Sequence, residues 1–187
     1  MSGEIIQIAT QRVSECRLLV SEESDEWIES AGSGLVLYLS FVNGGTGEID
    51  DSRIAKAVKS IMNAKLASSS GWKSDHSDAQ SLASLVSDNV EGVHIIIVPQ
   101  ATLSGRLVPG DKYLKYHRQV GKERGFELYS KIIHAVAKSL GCTQELDTKT
   151  GGQSACSDRM KIVWGSYGKR QGWEMKSTGP STHYFEF

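Results

Sequence analysis

The sequence predicts a strand-rich, mixed α+β protein with two main helices. Strand-like stretches outnumber helical ones, and two stretches carry apolar residues at a spacing near 3.6. The elements run strands, helix, strand, helix, strands, which is not the alternation of a βαβ winding. The 187 residues suit one domain, 1–187, and 39% are hydrophobic, which argues against a disordered chain. No internal repeat and no Pro-rich linker divides them.

Ile5 to Val13 and Arg17 to Val20 read as two short strands, the second entering an acidic turn at Ser21 to Glu26. Gly34 to Val42 is almost continuously apolar, as a buried strand is. Asn43-Gly44-Gly45-Thr46-Gly47 is a loop, and Ser52 can cap a helix whose face is Ile54, Val58, Ile61 and Met62. Residues 67–81 are polar and loop-like. Val93 to Val98 is a β-branched strand stopped by Pro99. Phe126, Tyr129, Ile133, Val136 and Leu140 form the second helical stripe, with Gly141 as terminator. Thr143 to Asp158 is rich in Ser, Thr and Gly and is expected to be a mobile insertion. Ile162 to Trp164, Gly172 to Lys176 and Thr182 to Phe187 are the final strands.

Composition removes several functions. Twenty-one cations against 22 acids give a net charge of −1, so the chain is no bulk polycation. No apolar run approaches the ~20 residues of a membrane span, and Met1-Ser2-Gly3-Glu4 lacks the basic region of a signal peptide. Cys16, Cys142 and Cys156 are odd in number and widely spaced, so reduced thiols in the cytoplasm are expected. His76, His94, His117, His134 and His183 have no ligand spacing, so neither a metal nor a cofactor is expected. No HExxH, Walker A or GxSxG motif occurs, and the Asn43–Gly47 loop lacks the GxGxxG order.

Charge is uneven along the chain. Residues 1–51 hold two cations against ten acids. Ser104 to Arg124 holds Arg106, Lys112, Lys115, Arg118, Lys122 and Arg124 against Asp111 and Glu123, with Tyr113, Tyr116 and His117 interleaved. Cations neutralise phosphates and aromatic faces stack on bases, so this segment is the best nucleic-acid contact in the sequence. A solvated loop leading into a charged helix has the same composition. Two of the three prolines also stand out. Pro99 closes the strongest strand, and Pro180 follows Gly179 in a turn between the last two. Either is an ordinary strand terminator, or leaves main-chain groups for a ligand.

Six segments in order resemble the D-aminoacyl-tRNA deacylase family: Thr10-Gln11-Arg12-Val13, Gly32 to Leu37, Val98-Pro99-Gln100-Ala101-Thr102-Leu103, Gly125 to Tyr129, Gly165-Ser166-Tyr167-Gly168, and Ser177 to His183. The third resembles the family's SQxxL signature in the form PQATL, and the last its NxPxT signature. The resemblance implies a barrel-like sheet with two main helices, no cofactor, and a homodimer acting on aminoacyl-tRNA at the subunit interface. It implies catalytic main-chain groups at Gln100, Ala101 and Thr102. Pro99, Leu103, Thr178, Gly179, Pro180 and Arg12 would bind substrate, and Arg106, Lys112, Lys115 and Arg118 the tRNA.

PQATL with Gly-Pro-x-Thr-His looks like the branch that clears alanine from threonine tRNA, whereas Arg12 in a QRV context resembles the D-specific branch. The resemblance implies a cis Gly179–Pro180 bond in the D-selective branch and a trans bond in the other, and the PQATL form predicts trans. Two other classes stay open: a non-catalytic tRNA-binding module, and a small-ester hydrolase that ignores RNA.

Overall fold

The computed structural model describes residues 3–68, 79–88, 90–110, 112–177 and 179–187. β1 (Gly3–Ser21) and β2 (Glu26–Gly45) form a long antiparallel hairpin. The two short strands expected before the acidic turn are therefore one strand. A bulge between Val13 and Glu15 breaks the alternation, turning Cys16 and Leu18 onto the face that already holds Val13.

α1 (Asp51–Asn63) follows, capped by Asp50 rather than Ser52, with Asp50 Oδ1 accepting from Arg53 N at 2.8 Å. β3 (Ala67–Ser68) and β4 (Ala79–Gln80) pair within the expected loop; residues 69–78 lie outside the described residues. α2 (Leu82–Ser87) is a short helix with no counterpart in the sequence reading. β5 (Val93–Pro99) stops at its proline as expected and passes into a 3-10 turn, Ala101–Ser104. β6 (Gly105–Leu107) and β7 (Leu114–Tyr116) form a separate two-stranded ribbon.

α3 (Lys122–Ser139) starts four residues before its apolar stripe. The early turn is polar because Arg124 in it reaches Glu4 of β1. Nε and Nη2 donate to the two carboxylate oxygens at 3.1 and 2.9 Å. That guanidinium holds the Glu4 carboxyl below its usual range. Gly141 follows the helix at φ +78°.

β8 (Gly152–Ser157) and β9 (Met160–Trp164) form a hairpin, so part of the stretch expected to be an insertion is an ordered sheet edge. Cys142 and Cys156 are joined in a disulfide there, against the expectation of reduced thiols; Cys16 is free and buried. β10 (Trp173–Lys176) and β11 (Thr182–Glu186) complete the chain.

One seven-stranded sheet runs β10-β1-β2-β5-β9-β8, with β11 also paired to β1. β2, β5 and β9 are mutually parallel, and their central stretches Leu35–Leu37, Ile95–Ile97 and Ile162–Trp164 are buried on both faces, hence the apolar runs there. Leu35, Leu37, Ile95, Ile97 and Ile162 pack under α1 and α3, while Val36, Ile96, Val98 and Val163 pack on the other face with Val13 and Leu18. The expected barrel is not formed: the sheet is open, with β10 and β8 at its ends. Leu19 N donates to Gly172 O at 3.0 Å, which extends the β1–β10 pairing. Ser166 Oγ, in the link after β9, donates to Val20 O of β1 at 3.2 Å, a single side-chain contact and not a ladder. No helix among the described residues is long and apolar enough to cross a membrane.

Candidate active site

At the carboxyl ends of β2, β5 and β9 lies a cleft of about 640 Å³. Its floor is Leu39–Phe41 of β2 with Pro99, Gln100, Ala101 and Thr102. One wall is Gln119 to Lys122, where the chain enters α3, and the other is Tyr167 to Arg170, in the link after β9. A second hollow of about 620 Å³ lies along β1, β2 and β10. Both of its cations are already matched, Arg17 with Glu174 and Lys176 with Glu15, which leaves Glu29 as its remaining charge. The first cleft, whose cations are unpaired among the described residues, is therefore the better candidate.

The floor is held in place by main-chain and side-chain bonds. Gln100 N donates to Leu39 O at 2.7 Å, and Leu103 N to Gln100 O at 3.2 Å. Gln119 Nε2 donates to Ala101 O at 2.9 Å and to Ser104 Oγ at 3.2 Å. Ser104 Oγ donates to the same Ala101 carbonyl at 2.8 Å. Ala101 and Thr102 open the 3-10 turn, so their amides have no acceptor within it.

The far wall is fixed from below. Tyr129 Oη lies 2.9 Å from Ile97 O and 3.0 Å from Gly165 O, bridging the carboxyl ends of β5 and β9. Complete burial raises the pKa of this phenol, which stays protonated as a donor. Tyr167 packs on Tyr129 and Phe126 at centroid distances of 5.4 and 6.3 Å. A Cβ on Gly125 would collide with the Tyr167 hydroxyl, which explains the glycine at that point of α3.

The cleft lining contains no carboxylate and no histidine, and its charged groups are Lys122, Lys169 and Arg170. Such a set suits an anionic ligand whose reacting bond needs donors rather than a strong side-chain base.

The structure thus gathers Pro99, Gln100, Ala101 and Thr102. Leu103 belongs to the same turn but not to the lining. Gly179 and Pro180 lie elsewhere, in the bend between β10 and β11. That bend stands opposite Arg12 to Ser14, because β10 pairs with residues 15–18 of β1 and β11 with residues 7–11. No peptide bond among the described residues is cis, so Gly179–Pro180 is trans. Arg12 turns away to donate from Nε to Leu66 O at 3.2 Å. Thr178 lies outside the described residues.

Arg106 and Lys115 face each other across the β6–β7 ribbon, Lys112 is near its tip, and Arg118 follows β7. The ribbon leaves directly from the 3-10 turn and exposes Leu107, Tyr113, Leu114 and Tyr116. Sequence reasoning missed Gln119, Tyr167, Lys169 and Arg170 as members of the site. The signal for Tyr167, Lys169 and Arg170 was the Gly165–Gly168 turn, which they adjoin or belong to, and for Gln119 the basic Ser104–Arg124 stretch around it.

A family model described as D-Tyr-tRNA(Tyr) deacylase matches residues 9–186. The chain is 32% identical over 163 residues to "D-aminoacyl-tRNA deacylase 2" of Homo sapiens, covering 87% of this chain and 80% of that one. It is 30% identical over 185 residues to the protein of the same name in Danio rerio, covering 97% and 98%. Its fold is similar to the solved structure titled "Structural Analysis of a probable eukaryotic D-amino acid tRNA deacylase". The TM-score is 0.76 at 23% identity, covering 98% and 100%. "c-Myc DNA Unwinding Element Binding Protein" shares the fold with a TM-score of 0.61 at 18% identity, covering 96% and 97%.

Proposed function

The chain belongs to the D-Tyr-tRNA(Tyr) deacylase family, and from that premise we propose that it is an aminoacyl-tRNA editing hydrolase. It cleaves the ester between a wrong amino acid and the terminal adenosine of tRNA. The observation that carries this reading is the lining of the cleft: free donors and cations at Ala101, Thr102, Lys122, Lys169 and Arg170, with no acid or histidine. An aminoacyl ester is already activated. Its hydrolysis needs a held water and donors at the developing oxyanion, not a strong side-chain base.

In this reading the amides of Ala101 and Thr102 bind the oxyanion, and a donor of that kind is typically worth about 3–4 kcal/mol of barrier. The neighbouring 2′-hydroxyl of the tRNA assists the water. Thr102 is not the nucleophile, because no histidine or carboxylate lines the cleft to activate it.

The active unit is a homodimer. Gly179 and Pro180 do not line the cleft of their own chain, so a partner's bend supplies them, with Thr178 and Arg12 beside it, while Pro99 and Leu103 shape the floor. The rigid bend would present carbonyls near the substrate α-carbon, which selects chirality without reading the side chain. Arg106, Lys112, Lys115 and Arg118 hold acceptor-stem phosphates. Residues 1–187 act as one deacylase domain, working in the cytoplasm where tRNA is charged; the Cys142–Cys156 bridge is unusual for that compartment.

A second reading of the substrate, alanine on threonine tRNA, is supported by the PQATL form and by the trans Gly179–Pro180 bond. The test is deacylation of D-tyrosyl-tRNA, L-tyrosyl-tRNA and L-alanyl-threonine-tRNA side by side. Hydrolysis of D-tyrosyl-tRNA or of the mischarged alanine, with L-tyrosyl-tRNA spared, is expected. If tRNA binds and all three esters survive at the buffer rate, the chain is a binding module. Equal cleavage of simple free esters would make it a small-ester hydrolase.

A further inference from the structure

We infer that Lys122, Lys169 and Arg170 form a phosphate clamp, separate from the β6–β7 ribbon. It grips the last phosphodiester of the RNA end and sets how deep the 3′ ester enters the cleft. The inference rests on the function proposed above and adds the part of the substrate these three residues read.

The three cations reach the cleft from opposite walls. Lys122 opens α3, while Lys169 and Arg170 lie in the link between β9 and β10. The two segments touch: a Cβ on Gly168 would lie 3.0 Å from Lys122 Cε. All three side chains are exposed, and none forms an ion pair among the described residues. Yet acids are plentiful in the chain, 22 in all, and the next cation in α3, Arg124, is paired with Glu4 and Glu127. Three like charges around one concavity repel one another, and an entering anion offsets that repulsion by its attraction to each of them.

The main chain that carries the cations is tied down on both walls. In the link, Gln171 Nε2 donates to Ser166 O at 2.5 Å and Gly151 N to Ser166 Oγ at 2.7 Å. At the start of α3, Arg124 is anchored to Glu4 two residues after Lys122. The attachment points of the three side chains are therefore set, and only the exposed side chains themselves need ordering when a ligand binds. The ribbon cations Arg106, Lys112, Lys115 and Arg118 are absent from the lining, so the two basic groups contact different parts of one nucleic acid.

The test uses the full chain and three substrates with the same aminoacyl ester: charged tRNA, a charged CCA trinucleotide, and charged adenosine without phosphate. K169A/R170A is expected to lose about tenfold in kcat/KM on the trinucleotide, mostly through KM, with a salt slope shallower by about 0.7, the value for one single-strand phosphate. It should match the wild type on the phosphate-free adenosine ester. K122A, on the other wall, should give the same pattern with a smaller loss. K112A/R118A should lose on tRNA and keep the trinucleotide. Equal activity of K169A/R170A and wild type on the trinucleotide would overturn the clamp, as would an equal loss on the phosphate-free ester. Binding of uncharged CCA separates this from the function itself. If the wild type cleaves no ester but binds CCA more tightly than K169A/R170A does, the clamp stands and the hydrolase reading falls. If both bind CCA alike, the clamp falls.

Discussion

Gln11, in the middle of β1, holds the carbonyl of Gly179 in the bend between β10 and β11. Its Nε2 donates to Ser177 Oγ at 2.8 Å and to Gly179 O at 3.4 Å, and Ser177 Oγ donates to the same carbonyl at 2.7 Å. The Thr182 hydroxyl donates to Gln11 Oε1. Gly179 has φ +140°, which a residue with a side chain rarely adopts, so the bend depends on both the glycine and its clasp.

Gln11→Leu removes this clasp from a buried site. The expected cost is about 1–3 kcal/mol, because buried polar partners lose their bonds. Amide hydrogen exchange at Ser181, whose N donates to Gly179 O at 2.9 Å, should speed up more than exchange in β5. Unchanged exchange at Ser181 would mean that the bend holds itself.

Gln119→Ala leaves Ala101 O with Ser104 alone. Stability should change by less than about 1 kcal/mol, since Gln119 is exposed. Deacylation should fall about tenfold in kcat, because the turn that carries the Ala101 and Thr102 amides loses one of its ties. Steady-state kinetics beside a denaturant titration separates the two effects. A loss confined to stability would make Gln119 a fold residue.

Tyr129→Phe tests the strut below the far wall. Two buried carbonyls, Ile97 O and Gly165 O, lose the hydroxyl between them, and the expected cost is about 1–3 kcal/mol. For a chain of this length that is a fall in Tm of about 2–4 °C per kcal/mol, read by calorimetry.

Stability should depend on pH through His94. Burial pushes this imidazole down to about 4; the Gly92 carbonyl, 3.1 Å from Nδ1, opposes the shift and Lys161 adds to it. The unfolded chain has the ordinary value near 6.5, so between the two values it binds more protons than the fold does. Stability is therefore complete above pH 6.5 and is lost as pH falls toward 4, by about 3 kcal/mol in all. The Glu4 carboxyl is depressed by Arg124, so its contribution is lost only below its unfolded value of 4.5 and does not overlap the upper part of this window. Urea midpoints at pH 7.5 and 5.5 should differ for the wild type and converge for His94→Gln.

The Cys142–Cys156 bridge ties the end of α3 to the edge strand β8 across 14 residues. Cys142→Ser with Cys156→Ser should cost about 3 kcal/mol, the usual worth of a loop this short. Activity at 25 °C should persist, because neither cysteine lines the cleft. An equal melting temperature with and without reductant would show that the bridge does not form in solution.

The elements that were legible in the sequence are those whose signal is local. Val93–Pro99 and the stripe ending at Leu140 lie almost where periodicity puts them, because each buried face repeats within one element. β1 was read as two strands because its bulge breaks the period at Ser14. Lys122 to Gly125 were not read as helix because the turn is polar, shaped by Glu4 more than a hundred residues away. Sheet closure was expected from resemblance and does not occur: β10 and β8 end the sheet unpaired with each other.

The sequence by itself determined the strand-rich α+β class and the strand that ends in Pro99, while the run Pro99–Thr102 was singled out by resemblance to the deacylase family. Class and strand are properties of neighbouring residues, and chain stiffness and side-chain period express them directly. Only the tertiary structure decided that Gln119, Lys122, Tyr167, Lys169 and Arg170 share that site, and that Gly179 and Pro180 stand apart from it. Their meeting depends on parallel strands ending at one edge of the sheet and on one long strand pairing with both β10 and β11. Such pairings join residues far apart in the chain, and no local pattern encodes the distance between them.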